Sequence, residues 1–211
     1  MKDAVEQAVT ALRAGEPVVL PTDTVYGLCA DPYRPEPARR AYRLKGRDEL
    51  QPTALLARDL DYLLECLPEL RGRAATLLRA LLPGPYTVVV PNPARRYPWL
   101  TGSNPDAIGI RVPELPAVTT VVLDHVGSVL ATSANLPGGP DPRRLDDVPE
   151  ELRCGCAALV DGGELPGVPS TVIDLTGREP RVLREGAAPA AEALERLRTV
   201  AAPLTTGRTR Q

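Results

Sequence analysis

The order in which short apolar segments alternate with helical patterns is the feature that most constrains the fold of this chain. Residues 17–20 and 25–30 read as neighbouring strands joined by a polar turn, whereas other strands are separated by one helix or by two. This order fits neither a strictly alternating doubly wound sheet nor an all-β sandwich. It predicts a mixed α+β protein, α/β in the broad sense, with a mixed, twisted sheet covered by helices.

Periodicity and breaker residues predict the individual elements. A capping-box pattern at Asp3 and Glu6 begins a helix that ends near Gly15. Residues 118–125 fit either a helix or a buried strand, because periodicity does not separate the two. Further helices are predicted over 36–44, 59–66, 71–82 and 189–200, and strands over 17–20, 25–30, 53–57, 86–90, 107–112, 129–132, 157–160, 171–175 and 181–184.

Length and composition predict an ordinary globular protein. A chain of 211 residues with 43% hydrophobic residues and a net charge of −2 suits one well-buried core, which we expect over residues 1–200, followed by a flexible tail at 201–211. The longest apolar runs are too short to span a membrane. The first residues lack a basic start followed by an apolar run, which favours a cytoplasmic location.

The few cysteines and the single histidine exclude several classes of site. Four scattered cysteines are too few for a disulfide framework, and with His125 as the sole histidine a zinc site lacks ligands. A Ser-His-Asp hydrolase would depend wholly on His125, which lies in an apolar stretch. The sequence contains neither a P-loop nor a Rossmann glycine fingerprint. Aromatic residues total 3%, which leaves little material for stacking nucleic-acid bases.

Lysine usage singles out one residue. The chain has 25 lysines and arginines, and only Lys2 and Lys45 are lysines. An internal lysine in such an arginine-rich chain suggests a need for a compact ammonium, and phosphate chemistry is one such need. Lys45-Gly46-Arg47 could equally be a solvated helix end, where cations meet the negative end of the helix dipole.

Polar clusters follow several predicted strands, where loops present ligands on a rigid scaffold. Each cluster alone has an ordinary explanation, because turns favour Thr, Asp, Ser and Asn. The clusters lie at 21–28, 45–47, 109–113, 131–135, 170–171 and 183–186.

Taken in order, these clusters resemble the YrdC/Sua5 family, the threonylcarbamoyl-AMP synthases of tRNA modification. The resemblance covers residues 21–186 and includes Pro-Thr-Asp-Thr-Val-Tyr-Gly-Leu, Lys-Gly-Arg, Pro-Gly-Pro before a strand, Arg-Val-Pro, Ser-Ala-Asn and Ser-Thr-Val. It implies a YrdC-like fold, with a twisted, largely antiparallel or mixed sheet flanked by helices around a central cleft. The length is similar to that of the short, single-domain bacterial form.

The resemblance also implies a reaction. L-threonine, bicarbonate and ATP, the last with Mg²⁺, would give L-threonylcarbamoyladenylate and pyrophosphate, which makes the protein a nucleotidyltransferase. The product would serve a TsaD-type transferase complex that modifies N6 of adenosine 37 in tRNA, with tRNA itself a further expected partner. Such chemistry asks mainly for charge neutralisation and alignment, without a dedicated nucleophile.

The site residues are carried over from the family's motifs. Lys45 and Arg47 are the expected catalytic residues, and no metal ligand from the protein is expected because no carboxylate cage is apparent. Arg111 is expected to hold the threonine carboxylate. The expected ATP-binding residues are Lys45, Arg47, Gln51, Ser133, Asn135 and Arg184, and the expected threonine-binding residues are Thr24, Tyr26, Arg111, Ser170 and Thr171.

Two departures from the family pattern bear on these assignments. Many relatives have a histidine at the end of the strand after Lys-Gly-Arg, where this chain has Leu56-Ala57, and this places one threonine contact and the amino-acid specificity in question. Asp48 and Glu49 adjoin the expected phosphate cations, so the loop must point them outward.

The sequence is also compatible with two other functions. The first is an RNA-binding module, with a groove formed by Lys45, Arg47, Arg95, Arg96, Arg111 and Arg184. The second is a carbamoyl-adenylate former of another pathway, such as hydrogenase maturation or antibiotic carbamoylation, although those proteins are larger multidomain chains.

Overall fold

A computed structural model of the chain describes residues 2–201, and its strands form one mixed sheet of nine. In chain order the strands are β1 (Val18–Pro21), β2 (Tyr26–Ala30), β3 (Ala54–Ala57), β4 (Tyr86–Pro91), β5 (Ala107–Arg111), β6 (Ser128–Ser133), β7 (Ala158–Leu159), β8 (Thr171–Asp174) and β9 (Arg181–Arg184). The helices are α1 (Lys2–Ala14), α2 (Pro35–Lys45), α3 (Leu60–Cys66), α4 (Arg73–Leu81), α5 (Ala117–Val126), α6 (Glu150–Gly155) and α7 (Ala190–Ala201). Single 3-10 turns lie at Pro98–Leu100 and Leu145–Asp147.

The strand order across the sheet is β7-β1-β2-β6-β3-β5-β4-β8-β9. The pairs β1/β7, β3/β5 and β4/β8 are parallel, and the other five pairs are antiparallel. The expected mixed, largely antiparallel sheet flanked by helices is therefore confirmed. Strands β1 and β2 are joined by the short turn at residues 22–25, which lies next to the site described below.

Every predicted strand is present, and the elements that the sequence left open have local explanations. Residues 118–125 are helical, within α5, where Val122 and Leu123 face the core. Helix α6 was not predicted, because six residues are too few to show a helical period. Its first turn carries Glu150 and Glu151, which complement the positive end of the helix dipole.

The two faces of the sheet are covered to different extents. Helices α2, α3, α4, α6 and α7 pack on one face, which receives side chains from strands along nearly the whole sheet. Helices α1 and α5 pack on the other face, where the buried side chains come from β7, β1, β2, β6 and β3. Over β5, β4 and β8, that second face is thus free of helices from residues 2–201.

No helix within residues 2–201 is both long enough and apolar enough to cross a membrane. Residues 202–211 of the expected flexible tail lie outside the described residues, and Ala201 is the last residue of α7.

We expect the α1–α5 layer to contribute strongly to stability. Leu12 is 2% exposed and packs between the two helices and the sheet. Leu12→Ala is expected to lower the free energy of unfolding by about 2–5 kcal/mol, because it leaves a cavity as well as losing apolar burial. Gln7→Ala, on the exposed side of the same helix, should change it by less than about 0.5 kcal/mol. Equal effects in urea denaturation would contradict this assignment of the core.

Candidate functional site

A cavity of about 420 Å³ occupies the part of the sheet that α1 and α5 leave uncovered. Its floor consists of residues that alternate with core residues along the strands, including Ala54 of β3, Thr87 of β4 and Gly109 of β5. These residues are small, and Gly109 has no side chain, so they leave space above the sheet. Six of the expected site residues line the cavity, namely Thr24, Arg47, Arg111, Ser133, Ser170 and Arg184.

Helix α2 delivers Lys45 and Arg47 to this cavity through a glycine cap. Gly46 adopts a left-handed conformation with φ 65°, which ends the helix directly after Lys45. The backbone N–H of Arg47 then donates to the carbonyl oxygen of Tyr42 at 2.9 Å. The Lys-Gly-Arg backbone is therefore a helix end, as one of the two interpretations predicted. The Lys45 side chain, however, is not solvated, since the residue is 3% exposed.

Lys45 does not line the cavity itself, but its ammonium contacts Ser133, which does. It donates to the Ser133 carbonyl oxygen, to Asn135 Oδ1 at 2.8 Å and, more distantly, to Ser133 Oγ at 3.4 Å. Ser133 Oγ in turn donates to Asn135 Oδ1 at 2.7 Å. Burial, and secondarily the charge of Arg47, lower the pKa of Lys45 to about 8. Lys45, Ser133 and Asn135 thus form one connected polar cluster of which Ser133 lines the cavity.

Arg47 lies in a loop that is fixed at both ends. Its Nη2 donates to the Pro52 carbonyl oxygen at 2.7 Å, while its Nε is buried and has no hydrogen-bond partner in the described part of the chain. The loop rests on the segment around Gly102, whose φ of 59° and close approach to the Leu50 carbonyl group leave no room for a side chain. The arginine therefore reaches the cavity from a constrained backbone.

The acidic residues of this loop point away from the cavity, as expected. Asp48 and Glu49 are exposed, and neither lines the cavity. Glu49 lies 3.6 Å from Arg39 on the outer side of α2. Gln51 is also exposed and does not line the cavity, so the structure does not bring it together with the other expected ATP-binding residues.

Arg111 is the most deeply buried cation of the cavity wall. It is 8% exposed, and its Nη2 donates to Asp23 Oδ1 at 2.6 Å and to Thr24 Oγ1 at 3.2 Å. Burial lowers the pKa of Arg111, an effect that the negative charge of Asp23 opposes. Burial also raises the pKa of Asp23 above its ordinary value, against the opposing effect of Arg111. The two side chains form an ion pair that joins β5 to the β1–β2 turn.

The far wall comes from strands β8 and β9. Arg184 donates to the Ser170 carbonyl oxygen at 2.8 Å through Nη2, and Ser170 Oγ lies 2.7 Å from Thr87 Oγ1. Gly186 makes this wall possible, because a Cβ there would lie 2.5 Å from the Ser170 carbonyl carbon and would overlap the Pro169 carbonyl oxygen. The close approach of the two chain segments requires glycine.

Two expected threonine-binding residues lie beneath the cavity rather than in its wall. Tyr26 is fully buried, and its hydroxyl donates to the Gly163 carbonyl oxygen at 2.7 Å and to Asp161 Oδ1 at 2.9 Å. Thr171 is also fully buried, and its hydroxyl donates to the Ala188 carbonyl oxygen. Neither residue lines the cavity, and their hydroxyls hold neighbouring loops in place, so the expected part of Tyr26 and Thr171 in threonine binding stays a prediction.

Sequence reasoning missed several polar residues that line the cavity, namely Thr53, Thr87, Thr101, Asn104 and Asp141. Thr87 alternates with core residues within a predicted strand, and this alternation indicates that its side chain lies on the opposite face of the sheet from them. Thr53 Oγ1 is buried and makes no hydrogen bond to the residues that the structure describes. The other three lie in loops, where sequence alone gives no orientation.

The position that lacks the family's histidine is apolar throughout. Leu56 is 1% exposed and packs in the layer formed by α1 and α5. It supplies no polar group to the cavity, so the expected effect on amino-acid specificity stays a prediction.

The cavity can accommodate an anionic ligand with polar groups on several sides. Arg47, Arg111 and Arg184 reach it from three separate parts of the chain, and among residues 2–201 Asp141 is the one carboxylate-bearing residue in its wall. Within the described part of the chain, no group of three or more His, Cys, Asp or Glu residues could hold a metal ion by itself.

Comparisons with known proteins identify the family of this chain. The Sua5/YciO/YrdC family model, whose description reads "Telomere recombination", matches residues 10–186. A Bacillus subtilis (strain 168) protein named threonylcarbamoyl-AMP synthase is 32% identical over 184 residues, which are 86% of this chain and 53% of the relative. A Vibrio campbellii protein of the same name is 31% identical over 185 residues, 86% of this chain and 98% of the relative.

A solved structure of similar fold carries the amino acid. The crystal structure of Pyrococcus abyssi Sua5 complexed with L-threonine is 31% identical, has a TM-score of 0.80, and matches 93% of this chain and 56% of its own. The chain therefore spans about half the length of the Bacillus and Pyrococcus relatives and nearly all of the Vibrio one. Because the family model matches most of its length and relatives are more than 30% identical to it, the chain belongs to the Sua5/YciO/YrdC family.

Proposed function

We propose that the protein is a threonylcarbamoyl-AMP synthase, a nucleotidyltransferase that condenses L-threonine, bicarbonate and ATP. The observation that carries the proposal is the cavity, into which three arginines converge and beside which the Lys45 cluster lies. A substrate pair of one triphosphate and one small zwitterion needs several cations in one hollow. The relatives named threonylcarbamoyl-AMP synthase and the relative crystallised with L-threonine support the same conclusion.

The reaction divides into two steps. The threonine amine combines with bicarbonate to give a carbamate and water, and a carbamate oxygen then attacks the α-phosphorus of ATP, so that the bond to pyrophosphate breaks. Neither step needs a covalent enzyme intermediate. The protein has to hold the carboxylate, align the carbamate with the phosphorus and neutralise the growing negative charge.

The described residues divide this work among themselves. Arg111 suits the threonine carboxylate, because its guanidinium is buried and the attraction between opposite charges is stronger in surroundings of low polarity. Arg47, Arg184 and the charge of Lys45 suit the phosphates, with Ser133 and Asn135 linking Lys45 to the cavity wall. Thr24 and Ser170 supply hydroxyl groups to the same wall.

Mg²⁺ fits this site as the companion of ATP. Such ions are commonly held by one or two carboxylates together with substrate phosphates, and Asp141 is the carboxylate-bearing residue available here. When bound, the ion would neutralise phosphate charge. We place Asp141 as its candidate protein contact.

The product is a mixed anhydride and must be consumed soon after it forms. We propose that a TsaD-type transferase complex receives it and transfers the threonylcarbamoyl group to N6 of adenosine 37 in tRNA. The arginines expected for an RNA groove give little support to the RNA-binding alternative. Arg95 pairs with Asp106 at 2.9 Å and Arg96 pairs with Glu69 at 2.7 Å, so both charges are compensated on the surface.

The direct test is the reaction itself. Purified protein supplied with L-threonine, bicarbonate, Mg²⁺ and ATP should release pyrophosphate, and mass spectrometry should detect threonylcarbamoyladenylate. Omitting threonine should stop pyrophosphate release, and tRNA should not be required. Folded protein that releases no pyrophosphate would contradict the proposal, while a different carbamoyl-adenylate would identify another pathway.

Lys45 should give ATP binding a distinctive pH dependence. Because its pKa is lowered to about 8, the ammonium is charged below that pH and loses its charge as the pH rises through it. The ATP affinity of the wild-type protein should therefore fall by up to about tenfold between about pH 7 and pH 9. Calorimetric titrations at several pH values measure this.

Two variants separate the charge of Lys45 from its shape. Lys45→Gln should bind ATP weakly at every pH and lack the step near pH 8. Lys45→Arg keeps the charge but places a larger, planar group among Ser133 and Asn135, so turnover should fall without a step near pH 8. A step of unchanged size in Lys45→Gln would rule out Lys45 as its origin.

The approach of Gly186 to Ser170 should be required for activity. In Gly186→Ala the new methyl group would push β9 away from Ser170 and withdraw Arg184 from the cavity, so we expect at least about a tenfold loss in kcat/KM for ATP. Gly177→Ala, at the tip of the same hairpin, places its Cβ 3.6 Å from the nearest atom and should have no effect. Equal activity in the two folded variants would show that this contact is dispensable.

A further inference from the structure

The counter-charge of Arg111 is built into the protein and is not left to the ligand. The side chains of Arg111 and Asp23 are 10% and 9% exposed, and they meet at 2.6 Å. A buried guanidinium without a fixed partner would be costly, since removing a charge from water is compensated only by close opposite charge. Asp23 therefore allows Arg111 to remain buried when the cavity holds no ligand.

The turn that carries Asp23 is itself held rigidly. Thr22 Oγ1 accepts from the backbone N–H groups of Thr24 at 3.2 Å and Val25 at 3.3 Å, and it donates to the Val25 carbonyl oxygen at 2.7 Å. These bonds fix the backbone on both sides of Asp23. The carboxylate is thus presented to Arg111 from a defined position, which limits the rotamers that Arg111 can adopt.

The hydrogen-bond donors of Arg111 show what remains for a ligand. Nη2 is shared between Asp23 and Thr24, and Nε is buried and has no partner within residues 2–201. Nη1 makes no hydrogen bond to this part of the chain, and Arg111 lines the cavity. Asp23 and Thr24 thus occupy one nitrogen of the fork and leave another for an incoming carboxylate.

We propose that Asp23 is a positioning residue for recognition of the amino-acid carboxylate, acting through Arg111. This inference rests on the proposed function, because it concerns the threonine subsite of that reaction. Asp23 does not contact the substrate. It sets which face of the guanidinium meets the ligand, and its negative charge repels carboxylates that approach by any other side.

The test compares two ligands that differ only at the carboxylate. L-threoninol keeps the amine and the secondary hydroxyl of L-threonine but has a primary alcohol instead of the carboxylate. Calorimetry should show that the wild-type protein binds L-threonine more tightly than L-threoninol. Asp23→Asn should weaken L-threonine binding at least about tenfold and change L-threoninol binding less than about threefold, because only the carboxylate meets Arg111.

A matched control is available in the same sheet. Asp174 is 5% exposed and pairs with Arg181 at 2.6 Å, but it does not line the cavity. Asp174→Asn therefore removes a similarly buried carboxylate from an ion pair outside the cavity, and should leave the affinities for both ligands unchanged. If Asp23→Asn does not fold, Asp23→Glu decides the question, because it keeps the charge but moves the carboxylate by one methylene group relative to Arg111. It should cause a loss of affinity that is again confined to L-threonine.

The outcomes separate this inference from the proposed function. Equal weakening of both ligands in Asp23→Asn, or weakening of neither, would overturn the positioning role while leaving the proposed function intact. A wild-type protein that binds both ligands equally would overturn it as well. A folded wild-type protein that binds no L-threonine and releases no pyrophosphate would overturn the proposed function, and this inference with it.

Discussion

Helices cover one face of the long sheet along nearly its whole length, but they cover the other face only in part. This difference determines where the protein can bind a ligand. Burying a strand's apolar residues requires a packed layer on each face, and α1 and α5 supply that layer only as far as β3. Beyond it, the strands replace large apolar side chains with Ala54, Gly109, Thr87 and Arg111. The cavity is the space that a further helix would otherwise fill.

Cations placed in such a hollow have to be stable before any anion arrives. Each of them rests on a fixed protein acceptor: the Pro52 carbonyl for Arg47, the Ser170 carbonyl for Arg184, and Asp23 for Arg111. Carbonyl oxygens offer partial charges that a phosphate can outcompete, whereas a carboxylate holds its partner through a full charge. Arg111 is therefore expected to remain in place as ligands enter and leave, and the other two arginines to adjust.

The sequence predicts much of this arrangement and fails for identifiable reasons. Local periodicity and breakers locate the strands, and the ordered motifs identify Arg111, Arg47 and Ser133, all of which meet in the cavity. A motif does not reveal which way each of its side chains points. Thr24, in the β1–β2 turn, lines the cavity, whereas Tyr26, two residues later at the start of β2, donates its hydroxyl to Asp161.

Long-range contacts account for the other misses. Asp141 and Asn104 reach the cavity from loops whose course depends on the packing of distant elements, and short helices such as α6 show no period of their own. The burial of Lys45 also depends on β6, far along the chain, which supplies Ser133. Composition singled out this lysine, but only the tertiary structure shows that it lies behind the wall.

The position of β9 at the rim of the sheet gives the cavity one wall that is tied down less than the others. Among the strands of residues 2–201 it has a single neighbour, β8, and the register between the two is irregular at Val172 and Ile173. Peripheral strands separate from their sheets at a lower free-energy cost than interior ones. An outward displacement of β9 with Arg184 is therefore expected to cost less free energy than a displacement of the interior strand β5, which carries Arg111.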